Sequence, residues 1–160
     1  MITVSPFASQ HQQGVLEVIL PIQQLEFRIP ITVEGQPDLL DIPGFYRRGD
    51  GNFWVALASS EVVGTIALID IGGGQGALRK MFVKKSHRGP EAGVAAKLLD
   101  TLLGWARSRQ MREIYLGTTA KFLAAHRFYE KNGFAELAPA ELPAAFPRMA
   151  VDTKFYRLPL

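Results

Sequence analysis

Residues 77–109 read ALRKMFVKKSHRGPEAGVAAKLLDTLLGWARSR and join an apolar strand-like segment, a short basic turn and an amphipathic helix. The turn contains Arg88, Gly89, Pro90 and Gly93, and leucines recur at helical spacing after it. Such a turn has two explanations. It is either a sharp entry into the helix, or an open helix N-terminus whose free N–H groups hold an anion.

Segments with strand and helix patterns alternate on both sides of this stretch. They predict seven strands, at 2–7, 53–58, 62–71, 77–83, 112–118, 134–137 and 151–158. They also predict helices at 8–24, 91–109 and 121–132, with a short helical segment at 37–41 and a kink or end of the first helix at Pro21. The fold class indicated is α+β, one domain of residues 1–160 with helices on both faces of a mixed sheet.

Two features of this layout bear on ligand binding. Residues 53–83 read as an antiparallel meander, and the step through helix 91–109 to the next strand is a β-α-β unit, which should be parallel. In open α/β sheets the turn before such a helix commonly binds ligand. Small residues let a ligand approach the main chain there, and Arg88 adds positive charge. The local spacing alone leaves a simple turn equally open.

Composition excludes several classes of protein. There is no cysteine among the 160 residues, which rules out disulfides, thiolate nucleophiles and cysteine-bound metal. The three histidines lack metal-ligand spacing, so no metal is expected. The N-terminus lacks a signal-peptide layout and no apolar run is long enough to span a membrane, so we expect a cytoplasmic protein. The net charge of +3 is weak evidence for nucleic-acid binding, and none is expected.

Two segments resemble the GNAT superfamily of acyl-CoA-dependent N-acyltransferases. LRKMFVKKSHRGPEAGVAAKLL (78–99) is similar to the family's strand, R-G-x-G-x-G/A turn and helix, and IYLGTTAKFLAAHRFYEKNGF (114–134) carries A-x-x-F-Y-x-x-x-G-F. The turn is about two residues longer than usual and contains Pro90, and Phe122 stands where the family often has asparagine. The resemblance implies a GNAT-type fold, with a mostly antiparallel sheet of about seven strands and a splayed parallel strand pair.

The resemblance also implies acetyl-CoA as cosubstrate and assigns residues to it. Pantetheine would pair with the strand edge at Met81, Phe82 and Val83, and the pyrophosphate would be held by Arg88, Gly89, Gly93, Val94, Ala95 and Ala96. Ala125, Phe128 and Lys131 would flank the lower pantetheine and the adenosine. Tyr129 matches the tyrosine that protonates the departing thiolate.

The acceptor side is less defined. The family's glutamate on the third meander strand is missing, so the candidate bases are Glu26, Asp70 or a water chain, and Asp70 reads more readily as a turn residue. The acid-containing loop 26–38 is expected to cover the acceptor pocket, with Glu26 and Phe27 contacting a cationic amine. Peptide N-termini, lysine side chains, polyamines, amino acids and antibiotics all stay open as acceptors.

The sequence therefore predicts an N-acetyltransferase that transfers an acetyl group from acetyl-CoA to a primary amine of a small molecule or peptide by direct attack. The alternative is a non-catalytic acyl-CoA-binding sensor or regulatory module with the same fold. A homodimer is left open.

Overall fold

The computed structural model describes residues 1–160 and contains one seven-stranded sheet. The strands are β1 (Ile2–Pro6), β2 (Asn52–Ala58), β3 (Glu61–Gly72), β4 (Gln75–Val83), β5 (Glu113–Thr118), β6 (Ala135–Leu137) and β7 (Lys154–Pro159). Their order in the sheet is β1-β2-β3-β4-β5-β7-β6. Only β4 and β5 run parallel, and every other neighbouring pair is antiparallel, which confirms the predicted α+β, GNAT-type fold class.

Four α-helices cover the sheet. They are α1 (Gln12–Pro21), α2 (Ile42–Tyr46), α3 (Val94–Ser108) and α4 (Leu123–Lys131). Pro21 does not end the first helical segment, because the chain continues as a wider π turn over Ile22–Glu26. The sequence did not predict α2, which begins where the Asp41 carboxylate accepts a 3.1 Å hydrogen bond from the Gly44 N–H.

The sheet has two buried faces with separate cores. On one, which we call the α3 face, Leu98, Leu99 and Leu102 of α3 pack in a cluster that also includes Tyr129 of α4. On the other, the α1 face, α1 and α2 pack against β2 and β3. A small aromatic cluster around Phe155 continues the α1 face toward β5 and β7. Side chains on the two faces can therefore meet only where the sheet itself opens.

The sheet opens between β4 and β5. Their parallel ladder runs from Gln75↔Glu113 to Ala77↔Tyr115 and then stops, although β4 continues to Val83. Beyond the ladder the two strands diverge, so the β5-facing edge of β4 has no partner strand. The expected splayed strand pair is thus confirmed.

A β-bulge interrupts β4 beside this opening. Pairing passes from Thr65↔Phe82 to Ala67↔Arg79, which leaves one β3 residue opposite two β4 residues. Lys80 takes the extra position with φ of 53°, and its carbonyl accepts a 2.7 Å hydrogen bond from the buried Thr65 hydroxyl. The bulge shifts the alternation of side chains along β4.

We expect Thr65→Val to lower the free energy of unfolding by about 1–3 kcal/mol, because the Lys80 carbonyl loses a buried donor while the side-chain volume is kept. Urea denaturation measures the change. Thr101→Val is the matched control, since that hydroxyl also donates to a main-chain carbonyl but on the exposed surface of α3. Equal effects of the two substitutions would show that the Thr65 bond does not stabilise the bulge.

Candidate active site

A cleft passes through the opening between β4 and β5 and reaches both faces of the sheet. On the α3 face it exposes Tyr129, and on the α1 face it exposes Arg79, Lys80 and Asp152. The remaining lining residues are Gln23, Ile29, Ile31, Leu78, Met81, Phe82, Leu116, Gly117, Thr118, Thr119, Phe122, Met149 and Val151. Two reactants could therefore meet in this cleft from opposite sides of the sheet.

The N-terminus of α3 is open for an anion. Gly93 precedes the helix in the left-handed conformation, with φ of 64°, and no side chain caps the helix. The N–H groups of Val94, Ala95 and Ala96 have no acceptor within the protein. Gly89 also has a positive φ, of 107°. These groups are arranged as an anion-binding helix start requires, and the residues fit a pyrophosphate.

Arg88, which the resemblance assigns to the same pyrophosphate, is engaged elsewhere. Its guanidinium forms a two-pronged ion pair with the Glu26 carboxylate, and its Nε donates to the Val83 carbonyl at 2.8 Å. The hydrogen bond from Arg88 lowers the pKa of Glu26. Glu26 therefore lies beside the basic turn and does not line the cleft, although Gln23 from the same turn does.

Tyr129 lies where α4 meets the cleft. Its ring is buried among Phe128, Phe134 and Tyr156, with centroids 5.5–6.0 Å away. Its hydroxyl makes no hydrogen bond with the protein, yet no buried side-chain oxygen lacks a partner, so this hydroxyl is accessible from the cleft. Burial raises the pKa of Tyr129, so the phenol stays protonated as a hydrogen-bond donor but is a weaker acid than a free tyrosine.

The other assigned donor-side residues flank the same opening. Met81 and Val83 turn toward the α3 face, where Ala125 and Phe128 of α4 are also half-buried, while Phe82 turns to the α1 face. Lys131 is exposed at the C-terminal end of α4. Of these residues, Met81 and Phe82 line the cleft, whereas Val83, Ala125 and Phe128 pack against the α3-face cluster beside it.

Of the residues considered for the acceptor side, Phe27 lies near the mouth of the cleft and Asp70 lies away from it. The Phe27 ring packs edge-on against Phe122, which lines the cleft, with centroids 4.6 Å apart. Asp70 accepts N–H groups from Gly72 and Asp50 at 2.9 Å, which makes it a turn-forming residue. The roles of Glu26 and Phe27 in acceptor binding stay predictions.

A buried polar network on the α1 face was not predicted. Lys80 Nζ lies 3.7 Å from the Asp38 carboxylate and donates to the Gln36 amide oxygen, and the Tyr46 hydroxyl donates to Asp38. Burial lowers the pKa of Lys80 to about 8, against the opposing effect of Asp38. The network joins β4 to the segment before α2 and forms one wall of the cleft.

Asp152 is the carboxylate that sequence reasoning missed. It precedes β7 and lies against Gly117 of β5, where a Cβ would meet its Oδ2 at 2.5 Å. The Met149 N–H donates to Oδ2 at 3.1 Å, and Oδ1 has no protein partner. Burial raises the pKa of Asp152, while Arg79, Arg148 and Lys80 oppose that shift. A carboxylate with a free oxygen therefore faces the cleft and is suited to accept a proton.

Neither a metal site nor a membrane-spanning element is visible among residues 1–160. No three His, Asp or Glu side chains are grouped so that they could hold a metal ion. None of the helices has the length and apolar character needed to cross a bilayer.

Comparison with known proteins relates this chain to acetyltransferases. The model of the acetyltransferase (GNAT) family matches residues 16–134. An acetyltransferase of the GNAT family from Staphylococcus aureus Mu50 superposes with a TM-score of 0.94 and 37% identity over 99% of both chains. The PaiA N-acetyltransferase from Thermoplasma acidophilum, solved in complex with coenzyme A, shares the fold with a TM-score of 0.73 and 15% identity over 100% and 99% of the two chains.

A curated relative matches over a shorter region. N-acetylaspartate synthetase from Xenopus tropicalis is 36% identical over 113 residues, which cover 65% of this chain and 38% of that protein. The match thus spans less than half of that relative's length.

If the start of α3 holds the pyrophosphate, Gly93→Val should weaken acetyl-CoA binding at least tenfold. A β-branched residue is strained at φ of 64°, so the turn must change conformation and move the N–H groups. Each hydrogen bond from such an N–H to a charged acceptor contributes about 1.5–3 kcal/mol to binding. Isothermal titration measures the affinity. The control is Gly104→Ala, within α3, where an added Cβ meets nothing within 4 Å. Unchanged affinity of a folded Gly93→Val protein would place the pyrophosphate elsewhere.

Proposed function

Because this chain belongs to the acetyltransferase (GNAT) family, we propose that residues 1–160 act as one N-acetyltransferase domain that moves an acetyl group from acetyl-CoA to a primary amine. The observation that carries the proposal is the cleft between β4 and β5, which has an unpartnered Tyr129 hydroxyl on one side and an unpartnered Asp152 oxygen on the other. Cytoplasmic location and dimer formation stay predictions from the sequence.

The α3 side of the cleft supports binding of the donor. The free N–H groups at Val94–Ala96 suit the pyrophosphate, and the unpaired edge of β4 suits the pantetheine amides, which would extend the sheet as an added strand. Placing both groups on rigid elements would fix the thioester at the opening between the strands. Acetyl-CoA, the cosubstrate of this family, supplies the activated acetyl group.

Arg88 is already paired with Glu26 in this structure, so its charge is partly neutralised and only two of its five N–H groups are left for a phosphate. The helix N–H groups have no such partner. We therefore assign the main share of pyrophosphate binding to the main chain around Gly93 and a secondary share to Arg88.

The reaction needs one proton removed from the amine and one delivered to sulfur. The amine nitrogen forms a bond to the acetyl carbon, the carbon–sulfur bond breaks, and the electron pair leaves on sulfur. Tyr129 donates its phenolic proton to the developing thiolate and regains one from solvent, while Asp152 accepts the proton that the amine loses. Holding both reactants in one cleft reduces the entropic part of the barrier.

Asp152 is preferred as the base over the two acids first considered. The Glu26 carboxylate is occupied by Arg88, and that of Asp70 by two main-chain N–H groups. Asp152 has a free oxygen in the cleft, on the face opposite Tyr129. Its position compensates for the missing glutamate on β4.

The relatives' names agree with an amine acceptor of low molecular weight. N-acetylaspartate synthetase names an N-acetylated amino acid, and we carry over to this chain only the class of reaction. The alternative, a non-catalytic acyl-CoA-binding module, predicts tight acetyl-CoA binding without thiol release across a panel of amines. Thiol release in that assay would exclude it.

Tyr129→Phe should lower kcat about 100-fold with little change in acetyl-CoA affinity, because the hydroxyl is needed mainly as the thiolate develops and the buried ring is kept. Steady-state thiol release and isothermal titration give the two quantities. Tyr115→Phe removes a hydroxyl that interacts with Glu113, outside the cleft, and serves as the matched control. A full-rate Tyr129→Phe enzyme would assign the protonation to water.

Asp152→Asn should lower kcat about 10²–10⁴-fold, because an amide cannot take up the proton of the amine. The amide oxygen can still accept the hydrogen bond from the Met149 N–H, so the turn is kept. Wild-type kcat/KM should fall as the pH drops through the raised pKa of Asp152, since the protonated carboxyl is no base. That acid limb should vanish in Asp152→Asn.

The control for this substitution is Asp100→Asn, on the exposed face of α3. A pH profile of Asp152→Asn that keeps the wild-type acid limb would show that another group, or the amine itself, produces the limb.

A further inference from the structure

We propose, on the basis of the proposed function, that the acceptor is an amine with a carboxylate close to it, as in a free amino acid, and that the Arg79 guanidinium binds this carboxylate. The proposal rests on the polar groups of the α1 face of the cleft, which the transfer chemistry itself does not use. It names a substrate class and a specificity-determining residue.

Arg79 is the cleft cation without an anionic partner. No Asp or Glu oxygen lies within 4.0 Å of its guanidinium, and the side chain's one hydrogen bond runs from Nη2 to the Met149 sulfur at 3.4 Å. A thioether is a weak acceptor, and a guanidinium has five N–H donors. Since no buried side-chain nitrogen lacks a partner, the unused donors of Arg79 are accessible, and Arg79 is one of the residues that line the cleft.

Lys80, the second cation of the cleft, is already neutralised. Its ammonium lies against Asp38 and Gln36 and is almost fully buried. A ligand anion there would have to displace a buried ion pair, whereas Arg79 offers its donors without any rearrangement. Planar guanidinium groups also match carboxylates with two parallel hydrogen bonds, which favours Arg79.

The β4 bulge puts both cations on one face. In a regular strand consecutive residues point to opposite faces, but Lys80 reaches Asp38 on the α1 face, to which Arg79 also points two residues after Ala77. The proposed pyrophosphate site is at the start of α3, which packs on the other face. Arg79 is thus on the acceptor side, where a CoA phosphate would not bind it.

Asp152 completes the recognition of a zwitterion. It shares Met149 with Arg79, because the main-chain N–H of Met149 bonds Asp152 and the Met149 sulfur accepts from Arg79. A carboxylate and a guanidinium therefore both contact Met149 and line the same cleft. An ammonium near Asp152 would place a carboxylate on its neighbouring carbon toward Arg79. A peptide N-terminus has no charge at that position, so the arrangement favours free amino acids.

The test compares each proteinogenic L-amino acid with its α-carboxamide, which keeps the amine and removes the negative charge. Isothermal titration into protein saturated with CoA reads acceptor binding without turnover, and thiol release from acetyl-CoA reads turnover. Both are measured for the wild type, Arg79→Gln, Arg79→Lys and the control Arg107→Gln, an exposed arginine in the last turn of α3.

We expect at least one amino acid to bind more tightly than its carboxamide. Arg79→Gln should lower the affinity for that amino acid about ten- to hundredfold and leave the affinities for the carboxamide and for acetyl-CoA unchanged. Arg79→Lys should recover part of the loss, and Arg107→Gln should match the wild type. Equal or tighter binding of every carboxamide by the wild type would overturn the proposal, even if Arg79→Gln failed to fold. Carboxylate-dependent binding without thiol release would support the Arg79 site and refute the transferase function instead.

Discussion

The structure depends on the short parallel ladder between β4 and β5, which contains only three residue pairs. Main-chain N–H and C=O groups inside a sheet are normally paired. The unpaired edge of β4 beyond Ala77 therefore lowers the stability of the sheet, and packing elsewhere in the fold must offset this loss. Support comes from both sides. The leucines of α3 fix one face of the sheet, and the core under α1 and α2 fixes the other. Helices α1, α2 and α3 pack on the β1–β4 part of the sheet, and the opening leaves main-chain groups of β4 without a partner strand.

The bulge in β4 gives the opening two chemically different sides. Without the extra residue at Lys80, the side chains of Arg79 and Lys80 would point to opposite faces of the sheet. With it, both point to the α1 face, where Asp38 neutralises one of them and the other stays unpaired. On the α3 face the cleft is lined by Leu78, Met81 and Leu116 and by one phenol, that of Tyr129. One irregularity of the backbone thus separates a polar side, where we propose that the acceptor binds, from an apolar side, where we propose that the donor binds.

The turn before α3 is also tied to the segment that follows α1. The Arg88–Glu26 pair joins residues 62 positions apart, and the Lys121 ammonium donates to the Phe27 carbonyl at 3.2 Å. The segment after α1 is therefore held from the phosphate side by Arg88 and from the α4 side by Lys121. Both contacts are partly exposed, so each contributes little stability on its own. Their consequence is positional, because they fix the rim of the cleft.

Local patterns in the sequence determined most of the helices and strands and led to the proposed donor side of the site. Leucine spacing located α3, although the helix begins at Val94 and not at the predicted residue 91, because Gly93 is left-handed just before it. Ala125 and Tyr129, four residues apart, lie on one face of α4. These signals act between neighbours along the chain, which is why they can be read without a structure. The short α2 escaped notice because its start depends on a cap by Asp41 within a proline-rich segment that has no helical periodicity.

Only the tertiary structure decided the acceptor side. Asp152 belongs to the cleft because the turn before β7 places it on Gly117, and Lys80 shares the face of Arg79 because β4 bulges. The acceptor contact predicted for Glu26 stays a prediction, and only the structure shows that its carboxylate pairs with Arg88. Each of these placements depends on contacts between segments far apart in the chain or on a bulge, for which the sequence carries no periodic signal. The periodicity of apolar residues could therefore predict which segments form the strands, while long-range packing determined which charged side chains face the opening.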